Sequence, residues 1–146
     1  MKHGGAMRFL ILIAVLALAA CSSGEVSVPD VAASLPTGTY GQGRDALCVT
    51  GTTGGQRAGF VVYGAGDENC SARGTIAQEG LTLTLTPQGD AGCRIPLSLK
   101  DGRIALGPGT PTCNYYCGPG ATFAGKSFGR DTNMRTVTDF GGDPLC

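Results

Sequence analysis

The chain has 146 residues, with eleven Lys and Arg against eleven Asp and Glu, 25 glycines, seven cysteines, one histidine and no tryptophan. That length fits one small domain. The balanced charge lacks the basic footprint of a nucleic-acid or anionic-membrane binder, and the glycines lack the tripeptide period of collagen.

The N-terminus runs from a basic patch (Lys2, Arg8) through an apolar stretch over 9–18 to the small residues Ala19 and Ala20 and then Cys21. Basic, apolar and small-residue regions in that order make a signal peptide over 1–20. The apolar stretch falls short of the about 20 residues that a membrane span needs. The segment Leu18-Ala19-Ala20-Cys21 resembles the lipobox of bacterial lipoproteins. The resemblance implies cleavage before Cys21, acylation of its thiol and acylation of the new amino group. Ser22, not Asp, follows the lipidated position, which by the sorting rule of that family implies the periplasmic face of the outer membrane.

The processed chain carries nine basic residues against eleven acidic ones, an excess of two negative charges. Its first part, residues 21–36, is rich in Ser, Val, Ala and Pro and reads as a lipidated tether, although Val26 and Val28 alternate enough to pair as an edge strand. From 37 to 106 the pattern is β throughout, starting with a strand over 37–40. Cys48 begins a strand that turns over 52–57 and returns over 58–63. Next comes 71–78, a Glu79-Gly80 turn and a strictly alternating strand over 81–86 with leucines on one face and threonines on the other. A strand over 94–100, an Asp101-Gly102 turn suited to a type I′ hairpin and a strand over 103–106 follow.

Seven such strands, with a possible eighth in the tail, have one apolar face to bury. The expected fold is therefore all-β, a small antiparallel up-and-down barrel, with a sandwich as the alternative. Residues 107–146, rich in proline and glycine and without an apolar period, read as a loop-rich wrap pinned by cysteines.

Setting Cys21 aside leaves Cys48, Cys70, Cys93, Cys113, Cys117 and Cys146, an even set that in an exported domain reads as three disulfides. Only Cys113 and Cys117 are close in sequence and the one histidine, His3, lies in the signal, so the spacing argues against structural zinc. A weak repeat of cysteine, strand, turn and returning strand places Cys48, Cys70, Cys93 and Cys113 at one end of the sheet. That placement favours Cys48–Cys70, Cys93–Cys113 and Cys117–Cys146 among fifteen possible pairings.

Residues 120–127, Gly-Ala-Thr-Phe-Ala-Gly-Lys-Ser, satisfy the phosphate-loop pattern. That loop needs a buried strand before it and a helix after it. Cysteine and proline precede it here and Gly129 follows, so no nucleotide is expected. Asn69-Cys70-Ser71 matches the glycosylation pattern but carries no weight in a bacterial lipoprotein. With no histidine after the signal there is no imidazole base for a nucleophile, and the carboxylates fall mostly in turns. Neither an enzyme nor a cofactor is expected.

In architecture the chain is similar to small barrel lipoproteins that inhibit lysozyme or secreted proteases, which implies a binding or inhibitor module facing a periplasmic protein. The alternative is a structural or envelope-assembly lipoprotein that docks on another membrane protein. Contact is expected through the 52–57 loop, where Gly54 and Gly55 supply adaptability and Arg57 a bidentate grip on a carboxylate. Tyr115 and Tyr116 are expected to be a packed plug.

Overall fold

The structure, a computed structural model, describes residues 34–133 and 135–146. The signal peptide, Cys21 and the tether as far as residue 33, with Val26 and Val28, lie outside the described residues. Eight antiparallel strands close a barrel in simple chain order. They are β1 (Gly38–Gln42), β2 (Asp45–Thr50), β3 (Arg57–Tyr63), β4 (Asn69–Glu79), β5 (Thr82–Pro87), β6 (Ile95–Lys100), β7 (Arg103–Leu106) and β8 (Ser127–Arg130). Closure removes every free sheet edge, so no sandwich forms.

Alternation sends one set of side chains inward: Tyr40, Leu47, Val49, Phe60, Val62, Leu83, Leu85, Ile95, Ile104, Leu106 and Phe128 are buried in one cluster. These side chains fill the barrel axis. Each end is stopped by a residue from a connection. Leu35, 2% exposed, stops the end where the chain leads into β1. Phe123, from the long connection between β7 and β8, stops the opposite end, its ring 5.6 Å from Phe60. The tether expected to run to residue 36 therefore gives way to packed structure by Leu35.

Asp101 (φ 51°) and Gly102 (φ 72°) both take the left-handed conformation that a type I′ turn demands. The preceding hairpin turns one residue later than expected, on Gly80-Leu81, because Glu79 is still paired with Thr82. Leu81 consequently stands in solvent, 70% exposed, instead of continuing the leucine face. Strand β2 starts at Asp45, before Cys48.

The stretch 107–146 splits into two parts. Residues up to 126, including a 3-10 turn over Pro111–Tyr116, cover one end of the barrel and lead into β8, the eighth strand. Beyond β8 the chain crosses the outer wall. Val137 and Leu145 pack there against Ala46, Cys48 and Val61 in a second buried cluster.

Three disulfides form: Cys48–Cys146, Cys70–Cys117 and Cys93–Cys113. Two of the three pairings favoured by the repeat are thus corrected. Cys48 lies opposite Gly59 and points out of the wall, whereas Cys70 lies opposite the inward Val62 and points in. Residues on opposite faces of one wall cannot be bridged. Cys48 also sits within β2 and not at the end shared by Cys70, Cys93 and Cys113, so its partner has to come from the chain crossing outside.

Candidate partner-binding groove

Strand β4 alternates Cys70, Ala72 and Ile76 inward with Ser71, Arg73 and Thr75 outward. Arg57, opposite Thr75, shares the outer face, since Ala58 and Phe60 point in. Arg73 lies opposite Gly59. The wall here carries two arginines on neighbouring strands, two residues apart in register and so on the same face. Among the described residues neither forms an ion pair.

The tail builds the facing side. Thr138 and Pro144 bridge a short hairpin in which Asp139 Oδ1 accepts from the Asp143 amide at 2.9 Å. Arg73 donates to the Pro144 carbonyl at 2.7 Å and so ties the hairpin to β4. Between wall and hairpin lies a cleft of about 440 Å³ lined by Ser71, Arg73, Gln88, Tyr116, Asp139, Asp143 and Leu145. A second depression of about 390 Å³, lined by Arg57, Thr75, Thr86, Gln88 and Asp90, shares Gln88 with it. Together they form one groove along the outside of β4. Arg57 reaches across it to Gln88 Oε1 at 3.4 Å, a contact too long to commit the guanidinium.

Tyr116 donates its hydroxyl to Asp90 Oδ2 at 3.2 Å. Partial burial, and then the adjacent Asp90 carboxylate, hold this phenol above its ordinary pKa, so it stays a neutral donor. Tyr115 packs edge-on against Tyr116 at 5.4 Å but is 87% exposed, so of the expected plug only Tyr116 is partly packed. Phe140, next to the lining Asp139, is 67% exposed. Groove and margins thus combine tyrosine, phenylalanine and arginine with carboxylates and an amide.

The expected contact loop is placed differently from its glycine content. Gly54 (φ 85°) and Gly55 do lie at its open tip. Its base, however, is clamped by the buried Gln56, which accepts from the Leu35 amide at 2.8 Å and donates to the Leu35 carbonyl at 2.6 Å. The structure therefore separates Gly54 and Gly55 from Arg57: the glycines belong to the barrel end and Arg57 to the groove. Sequence reasoning missed Arg73, Gln88, Asp139 and Asp143. The parity of β4 announces the outward Arg73, but no local pattern announces a tail hairpin folded against it.

In the phosphate-loop look-alike, Phe123 is sunk in the barrel end and Ser127 starts a strand instead of a helix. Lys126 is held by Asp45 Oδ2 at 2.9 Å and by the Tyr63 carbonyl at 3.0 Å. Among the described residues no three His, Cys, Asp or Glu side chains gather to hold a metal ion. Comparison with protein-family models, with curated proteins and with solved structures gives no match to this chain.

Proposed function

We propose that this protein is a lipid-anchored binding module on the periplasmic face of the outer membrane, which engages a periplasmic protein through the groove along β4. The observation that carries the reading is the contrast between a barrel axis filled by apolar side chains and an outer groove that is open, sets arginine, carboxylate and amide side chains beside apolar surface, and has exposed aromatics next to its lining residues. The axis is occupied by apolar side chains, so recognition of a polar partner falls to the surface. Tyrosine and arginine are the side chains that dominate binding energy at protein interfaces. Three disulfides hold wall, hairpin and end cap in place before any encounter, which lowers the ordering cost of binding.

A photo-crosslinking amino acid at Gln88 of the full-length protein in cells tests this, with Lys100 on the distant β6 as control position. A discrete adduct at Gln88 that disappears with Arg57→Ala and Arg73→Ala supports the groove. Adducts from Lys100 alone refute it. Titrating the soluble domain into lysozyme or a secreted protease separates inhibition, which gives stoichiometric loss of activity, from envelope assembly, which leaves both enzymes active.

A further inference from the structure

The three disulfides differ in setting. Cys70, Cys93 and Cys113 are buried in the barrel core and Cys117, the partner of Cys70, is partly buried against it, so Cys93–Cys113 is enclosed at both ends and Cys70–Cys117 at one. Cys48–Cys146 lies on the outer wall, and Cys146 is exposed. The segment it closes, residues 136–146, is otherwise held on the wall by two buried apolar side chains, Val137 and Leu145, and by the Arg73 bond to the Pro144 carbonyl. Upstream, Asp131 and Arg135 keep ties of their own, to the Thr39 and Asp45 carbonyls. With the bond cut, only these few contacts hold the part of the tail that carries Asp139, Asp143 and Leu145, one whole side of the cleft.

We infer that Cys48–Cys146 is a reducible latch on the groove: a dithiol reductant opens it before the other two bonds and takes the groove apart while the barrel stays folded. This rests on the binding reading for its meaning, but the latch itself is a property of the chain. In the first step a thiolate of the reductant attacks the sulfur of Cys146, the exposed residue of the pair, forming a mixed disulfide and expelling the Cys48 thiolate, which takes up a proton. The second thiol of the reductant then displaces Cys146 as a thiolate. Two electrons pass from the dithiol, which leaves as a cyclic disulfide. Access decides the order of opening, because a thiolate has to reach the sulfur it attacks.

Dithiothreitol at graded concentration, followed by maleimide trapping and peptide mapping, tests the order. Cys48 and Cys146 are expected to label together, at least tenfold faster than the other four, while amide exchange rises in 136–146 and not in β5 to β7. Labelling of Cys93–Cys113 or Cys70–Cys117 first, or a loosening of the whole barrel with the first bond, overturns the latch. The double variant Cys48→Ser/Cys146→Ser, kept in non-reducing buffer, repeats the test without reductant: a protected barrel with an exchanging 136–146 supports it, and an unchanged tail overturns it. The Gln88 crosslink separates the two readings. An adduct that persists in the double variant shows a groove partner that does not depend on the latch, whereas no adduct in either protein counts against the groove reading alone.

Discussion

Gly59 and Gln56 show how single positions fix the outer layers. A Cβ on Gly59 falls inside van der Waals contact of the Leu145 carbonyl and 2.6 Å from its Cβ. Glycine is required there because the tail crosses the wall at that point. Gly59→Ala is expected to cost about 1–3 kcal/mol in chemical denaturation and to raise amide exchange around Leu145. Unchanged exchange there shows that the tail can shift without loss. Gln56→Ala strips both partners from the buried Leu35 backbone, at a cost of about 2 kcal/mol. Neither role is legible in the sequence, where Gly59 reads as one more glycine of a strand and Gln56 as part of a loop, because each depends on a segment more than twenty residues away.

Glu79 and Arg94 join neighbouring hairpins through an exposed ion pair, and the hydrogen bond from Arg94 holds the Glu79 carboxyl below its ordinary pKa. A carboxylate whose pKa is depressed by folding stabilises the fold above its unfolded value, and that contribution fades as the pH falls through the folded value. A small Tm difference between the wild type and Arg94→Gln is thus expected at neutral pH, vanishing in acid and shrinking in salt. A difference that survives in acid assigns the effect to packing of the arginine stem.

At the scale of elements, legibility follows how many apolar residues declare a strand. Strand β5 shows its leucine alternation openly, and Asp101-Gly102 marks the turn from β6 to β7 by dipeptide chemistry. Strand β8 carries one buried apolar residue, Phe128, among serine, glycine and arginine, too little for a periodic signal. Yet it alone bonds to both β1 and β7, pairing Tyr40 with Arg130 and Ile104 with Phe128. Phe128→Ala removes the one buried apolar side chain that this strand sends into the core. A loss of about 3–5 kcal/mol is expected, with exchange spreading into β1 and β7. Confinement of the loss to β8 itself indicates that the other seven strands hold the barrel shape alone.

For the whole molecule, the barrel class and an even cysteine set were legible because both follow from counts and alternation. The connectivity was not, because it depends on which face of the wall each thiol occupies and on where the tail runs. The groove was half legible: β4 and Arg57 lie in patterned sequence, the tail hairpin does not. The anchor is tested at this scale. Cys21→Ser is expected to release the protein from carbonate-washed membranes, since one acyl chain binds with an association constant of only about 10⁴ M⁻¹ and stable attachment takes several. Retention of the variant with membranes refutes the anchor.

Closure of β1 against β8 also sets a timetable for folding. Tyr40 cannot meet Arg130 until the 89 residues between them are available, so the last ring of hydrogen bonds awaits nearly the whole chain. Pairings this distant place the barrel among the slow topologies, folding in milliseconds to seconds. A chain emerging from its N-terminus can form the β2–β3 and β3–β4 hairpins early, but it holds an unclosed, fraying sheet until residue 130 arrives. Were the chain exported as proposed, that delay would keep it threadable through a narrow pore for as long as its C-terminal part has yet to be made.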